Sequence, residues 1–139
     1  MTTSYFDANA FVKLLIEEDG SSLAEALWDA STEVISSALA YPEVRAALSA
    51  AHRAGRIDQQ QLDQVEDQWE EFWSGVRPVD LSDLIARIAA QECRSHALGG
   101  ADGVHLASAL VAVEAGVLVV TWDRRLSAGS SAAGLLVAP

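Results

Sequence analysis

The sequence predicts an α/β protein: a three-layer α/β/α sandwich around a mainly parallel central sheet, formed as one domain over 1–139. Three observations lead there. Short apolar runs alternate along the chain with longer stretches of helical spacing. The run Val117-Leu118-Val119-Val120-Thr121 carries no charge, as a strand covered on both faces should. Helices between successive strands require crossover connections, and these give parallel pairing with helices on the sheet faces.

The elements follow in order. A first strand is expected over 4–6, ending at Asp7. A helix over 8–18 comes next, with Phe11, Leu14 and Leu15 at helical spacing. Gly20 interrupts, and a helix over 22–30 carries Leu23, Leu27 and Trp28. Residues 33–36 form the second strand. The next helix runs through Pro42, Val44, Leu48 and Ala51 and stops at Gly55. Pro42 falls in its first turn, where a missing N–H costs least. Over 58–74 the residues Leu62, Val65, Trp69, Phe72 and Trp73 share one stripe of an amphipathic helix. A third strand is expected over 76–79, and Ser82 caps a helix bearing Leu84, Ile85, Ile88, Ala89 and Cys93. After Gly99-Gly100, a helix over 101–115 is apolar on most sides and therefore buried. Beyond the 117–121 strand, Asp123 to Leu126 open a short last helix, and 135–137 form an edge strand. The small residues of 127–134 fit a loose helix or a loop equally well.

Composition narrows the class. A chain of 139 residues, half of them apolar, can bury a core without disulfides. Cys93 is the only cysteine, so neither an internal disulfide nor a multi-cysteine metal site can form. No apolar run approaches the roughly 18 residues of a membrane span, and the first residues have no basic, signal-like pattern. A cytoplasmic protein with no membrane association is the expectation. The net charge is −11, with 9 Lys+Arg against 20 Asp+Glu. Such a field repels nucleic acid unless a metal, a local arginine patch or a basic protein intervenes; it also serves simple solubility.

The acids gain meaning from their positions. Asp7 ends strand one, Asp123 follows the 117–121 strand, Glu43 opens the helix after strand two, and Asp102 opens the buried helix. In an open α/β sheet ligands gather beyond the carboxyl ends of the strands, and all four acids belong to that rim. Taken singly, an Asp beside a helix start is ordinarily a cap or a dipole partner. Caps do not account for four acids on one rim. Clustered carboxylates cannot all stay ionised without compensation, and a hard divalent cation with oxygen ligands supplies it. Such a site grips a phosphate oxygen and activates water.

Four segments carry a family resemblance. Tyr5-Phe6-Asp7-Ala8-Asn9, Tyr41-Pro42-Glu43-Val44-Arg45, Ala101-Asp102-Gly103-Val104-His105-Leu106-Ala107 and Val119-Val120-Thr121-Trp122-Asp123-Arg124-Arg125-Leu126 resemble, in order, the motifs of PIN-domain proteins. They are most similar to the VapC-type toxins of bacterial toxin–antitoxin pairs. The resemblance implies a PIN-like fold and an acidic tetrad of Asp7, Glu43, Asp102 and Asp123, which holds Mg²⁺ or Mn²⁺ for endoribonuclease chemistry. It makes Asn9 and Thr121 the small polar residues that support those acids or touch phosphate. It also implies an RNA substrate, a homodimer, and a small antitoxin that blocks the acidic pocket; with the charge of −11, the expectation is a basic toxin-binding segment with an Arg or Lys reaching toward Asp7 and Asp102. The Gly99-Gly100 pair departs from relatives that carry a basic or larger residue there.

Several other residues have ordinary roles open to them. His105 lies on the same helical face as Asp102, and the apolar helix around it points to a packing residue with one hydrogen bond. His52 and His96 read as surface residues. Trp69 and Trp73 could stack on bases, although their stripe is suited to the core or to a partner. Arg124 and Arg125 fit RNA phosphates or a solvated helix face. Two further functions remain compatible with the acids. One is an aspartate-based phosphatase or phosphotransferase with Asp7 as nucleophile, which wants a second aspartate where Asn9 stands. The other is a catalytically idle binding module of the same fold.

Overall fold

The computed structural model describes residues 2–112 and 116–139. The chain runs β1 (Thr3–Phe6), α1 (Ala8–Leu15), α2 (Ser21–Ala30), β2 (Glu33–Ser37), α3 (Ala40–Arg53), α4 (Gln59–Ser74) and β3 (Val76–Val79). It continues with α5 (Asp83–His96), α6 (Gly100–Ala112), β4 (Val117–Val120), α7 (Arg124–Ala132) and β5 (Leu136–Ala138). The sheet order is β3-β2-β1-β4-β5, and all four pairings are parallel. The chain steps outward from β1 to β3 on one side, then returns to build β4 and β5 on the other. That reversal puts the switch point between β1 and β4, where a crevice opens beyond the strand ends.

Strand alternation divides the core into two layers. Phe6, Val34, Val76 and Val120 face α1, α3 and α4. Tyr5, Ile35, Val117 and Val119 face the opposite way, onto Ala109 of α6. The first layer is aromatic: Phe11 meets Trp69 at 5.0 Å between ring centroids, and Trp28 meets Phe72 at 5.0 Å. Leu62, Val65 and the fully buried Trp69 therefore spend the α4 stripe on the core. On the second face Ile85 and Ala89 of α5 pack on Ala107 of α6, and Leu126 of α7 packs on Leu98 and Leu106.

Local chemistry sets the element ends. Asp58 caps α4 through a reciprocal capping box with Gln61, and the Ser82 side chain accepts from the Ile85 N–H to start α5. Pro78 lies on β3, an edge strand, where a missing donor is tolerated. Helix α1 stops at Leu15, three residues earlier than its periodicity suggested. Ile16 turns extended and buries, the Ser21 hydroxyl donates to the Ile16 carbonyl, and the Glu18 N–H donates to Ser21 Oγ. Glu18 is then free to pair with Lys13 and Arg56. Most of 127–134 is helical. A Cβ at Gly129 would lie 3.2 Å from Leu98 Cδ1, so small residues are what allow α7 to close on the α5–α6 connection. The expected end of the buried helix at 113–115 lies outside the described residues.

Candidate active site

Three of the sequence-predicted acids share one cleft. Asp7, Glu43 and Asp102 line it together with Ala8, Asn9 and His105, and its volume is about 60 Å³. That space suits an ion and a water or two. Asp123 and Thr121 are not in the cleft wall. Thr121 is buried behind Asp7, and Asp123 stands close enough to raise the proton affinity of Asp102.

Asp7 reaches its place because β1 ends there and α1 begins. It is the α1 N-cap, with Oδ1 accepting from the Ala10 N–H at 2.9 Å. Its Oδ2 accepts from the Thr121 hydroxyl. Burial pushes the Asp7 carboxyl above the usual carboxylate range, while Thr121 and the Ala10 N–H pull it down. Thr121 also ties in the fourth acid: its Oγ1 accepts from the Asp123 N–H at 3.0 Å. Asp123 then caps α7, its Oδ1 accepting from the Leu126 N–H at 2.9 Å. One hydroxyl thus links the carboxyl ends of the two strands that flank the switch point.

Asp102 lies in the first turn of α6. Burial raises its pKa, the Asp123 and Glu43 charges add to the rise, and His105 and Arg125 oppose it. Glu43 lies in the first turn of α3, where its Oε1 accepts from His105 Nε2 at 2.7 Å. His105 differs from the sequence expectation. It makes two hydrogen bonds, the second joining its Nδ1 to Tyr5 Oη at 2.7 Å, and it is only 3% exposed. Its spacing from Asp102 placed it on the right face. Nothing in the sequence indicated that α3 would bring Glu43 across to it. His52 and His96 are half-buried, held by the Ile57 carbonyl and by Glu92 respectively.

The donor set suits a hard divalent cation, being carboxylates with two raised proton affinities. Among the described residues, however, no three Asp, Glu, His or Cys side chains converge closely enough to hold an ion as they stand. Both Asp7 oxygens, Asp123 Oδ1 and Glu43 Oε1 are engaged with protein donors. The second oxygens of Glu43 and Asp123 are left to meet a cation.

Outside the cleft, Arg124, Arg125 and His96 line a neighbouring groove with Ala97 and Ala128. Lys13, Arg45, Arg56, Arg77 and Arg87 are each paired with a carboxylate. Among the described residues neither Arg124 nor Arg125 is in such a pair. No helix among the described residues is long and apolar enough to cross a membrane.

Comparison with known proteins places these features in a family. The PIN domain model matches residues 4–130. Ribonuclease VapC45 and Ribonuclease VapC49, from two strains of Mycobacterium tuberculosis (CDC 1551 / Oshkosh and ATCC 25618 / H37Rv), are each 54% identical over 139 residues. The alignments cover all of this chain and 96% of each relative. Among solved structures, FitAcB from Neisseria gonorrhoeae superposes with a TM-score of 0.75 at 20% identity, covering 98% of this chain and 96% of that one. A toxin–antitoxin complex from Klebsiella pneumoniae gives 0.66 at 17% identity, with the same coverages. VapBC2 from Rickettsia felis, bound to a promoter DNA fragment, gives 0.65 at 14%, covering 99% and 98%. At those identities the structures speak for the fold, and the full-length relatives speak for the family. With nearly the whole chain matched and more than half its residues shared with two VapC proteins, this protein belongs to the PIN-domain family, in its VapC-type branch.

Proposed function

We propose that the protein is an endoribonuclease toxin that hydrolyses RNA phosphodiester bonds with Mg²⁺ or Mn²⁺ held among Asp7, Glu43, Asp102 and Asp123. The observation that carries this reading is the convergence of Asp7, Glu43 and Asp102 on one cleft at the sheet's switch point, with Asp123 beside it. The 54% identity to proteins named ribonucleases supports it.

A divalent cation bound there lowers the pKa of a water and draws charge from a phosphate oxygen. Thr121 and the Ala10 N–H hold Asp7 in one orientation, and His105 holds Glu43. Asp102, on the cleft wall in the first turn of α6, would offer its carboxylate oxygens to the cation beside Asp7 and Glu43. Asn9, exposed at the cleft edge, offers amide N–H groups to a phosphate oxygen. Arg124 and Arg125 give the flanking backbone a cationic edge in an otherwise acidic protein.

The partner is a cognate antitoxin with a basic toxin-binding segment. The net charge of −11 favours such a segment. An open groove lined by Leu14, Trp28, Gln68, Glu71 and Phe72 offers it an apolar floor with an acidic edge. Structural neighbours described as toxin–antitoxin complexes add support. The protein acts in the cytoplasm as a homodimer.

Purified protein should cleave RNA with Mn²⁺ and stop with EDTA, and it should leave p-nitrophenyl phosphate intact. Asp102→Asn keeps the shape and removes the charge, so it should lower cleavage at least about 100-fold, the upper end of effects seen when only supporting groups are changed. Near-normal turnover in that variant would remove Asp102 from the reaction. Hydrolysis of the small phosphoester instead of RNA would favour aspartate-based phosphatase chemistry.

A further inference from the structure

Tyr5 is a fully buried strand residue with a polar end that the fold does not need for packing. Its Oη accepts from the Ser37 N–H at 3.0 Å and lies 2.7 Å from His105 Nδ1. On the far side of the ring, His105 Nε2 lies 2.7 Å from Glu43 Oε1. The direction of each bond follows from what each atom can do. An ionised carboxylate only accepts, so Nε2 carries the hydrogen. A tyrosine hydroxyl keeps its proton at neutral pH. With one Oη lone pair taken by the Ser37 N–H, that proton points at Nδ1. The chain therefore reads Ser37 N–H to Tyr5 O–H to His105 to Glu43, running from β2 through β1 and α6 to α3.

We propose that Tyr5 and His105 are positioning residues that fix the tautomer and the ring plane of His105. They thereby hold the Glu43 carboxylate at the cleft with one oxygen engaged and the other free to meet a cation. The inference rests on the reading of the cleft as a metal-dependent nuclease site. A carboxylate in the first turn of a helix with 31% side-chain exposure otherwise samples several rotamers, and each must be frozen when a cation binds. Orientation of a ligand by a buried partner removes that cost beforehand. The edge-on contact of the Tyr5 and His105 rings, 5.8 Å between centroids at 78°, restricts the imidazole further.

The test uses Mn²⁺ binding to the whole protein, followed by the electron paramagnetic resonance signal of free Mn²⁺, beside RNA cleavage and a thermal melt. Tyr5→Phe removes only Oη and should weaken Mn²⁺ binding about 10-fold, with kcat for RNA restored at saturating Mn²⁺. His105→Leu should weaken it at least as much. His105→Gln should lose less than His105→Leu, because an amide can accept from Tyr5 and donate to Glu43 with the polarity of the imidazole. In a Glu43→Gln background, Tyr5→Phe should add nothing further. Nitrogen NMR of the wild-type ring should show hydrogen on Nε2 alone. A merely structural tyrosine would lower the melting temperature and leave the Mn²⁺ affinity unchanged. A folded Tyr5→Phe protein with wild-type affinity overturns the relay. Wild-type protein that neither binds Mn²⁺ nor cleaves RNA overturns the nuclease reading and, with it, the role given to the relay.

Discussion

The hydroxyl of Thr121 donates to the Asp7 carboxylate across 114 residues of sequence. It is 1% exposed, and its oxygen also accepts the Asp123 N–H. Valine has the same shape without the hydroxyl. Thr121→Val should therefore cost about 1.5–3 kcal/mol, the range for hydrogen bonds to charged groups, and lower RNA cleavage about 10- to 100-fold. Thr121→Ser keeps both bonds and loses a methyl, which is worth about 1 kcal/mol. Chemical denaturation and cleavage of the same RNA check the pair. Equal activity in the Val and Ser variants would sink the linking role of Thr121.

Asp7 yields a prediction in pH. Burial raises its folded-state pKa above the ordinary value of 3.8. Such an acid binds its proton more tightly in the folded state than in the unfolded state. Stability from this group is thus greatest below about 3.8, falls as pH rises toward the raised value, and stays low above it. Asp7→Asn removes the penalty while keeping a side-chain oxygen for the Ala10 N–H. Melted with EDTA present, the variant should exceed wild type at pH 7, and the gain should shrink to nothing as pH falls toward 3.8. A variant less stable than wild type at pH 7 would show that the Thr121 and Ala10 bonds outweigh burial.

How much of this was legible in the sequence depends on the range of the interaction concerned. The strands at Val117–Val120 and Val76–Val79, and the Ser82 cap, follow from patterns a few residues long. The four acids could be assigned to one rim because strand ends and helix starts meet there in any parallel α/β sheet. What could not be read is contact between side chains on different elements. That His105 meets Glu43 depends on the approach of α6 to α3, and that Thr121 meets Asp7 depends on β1 pairing with β4. The early end of α1 escaped for a similar reason: Glu17 and Glu18 are good helix formers, yet burial of Ile16 and the Ser21 bonds pull the chain away.

Gly103 sits beside Asp102 under the α5–α6 contact. A Cβ there would come 2.3 Å from Cys93 Sγ and 2.9 Å from the Ala89 carbonyl oxygen. Alanine would normally favour a helix, but Gly103→Ala must push α5 and α6 apart. Overpacking of this kind costs about 1–3 kcal/mol, and the shift should carry Asp102 with it, so activity should fall together with stability. Cys93→Ala relieves the sulfur clash and leaves the carbonyl one. The double variant should recover part of both losses. Full stability in Gly103→Ala alone would mean that the helices yield without cost.

The partner reading predicts a salt dependence of known direction. An acidic toxin and a basic segment attract over distances set by the screening length, about 10 Å at 0.1 M salt and 3 Å at 1 M. The association rate with the cognate antitoxin should therefore fall steeply over that range, while dissociation changes less. Glu71 lies exposed on the groove that Leu14, Trp28 and Phe72 floor, and it takes part in no ion pair among the described residues. Glu71→Lys should slow association and flatten its salt dependence, with folding and RNA cleavage unchanged because the groove and the cleft share no residue. Stopped-flow mixing at several salt concentrations measures both quantities. A rate indifferent to salt would remove electrostatics from recognition. A Glu71→Lys rate equal to wild type, with salt dependence intact, would move the docking surface elsewhere on the acidic molecule.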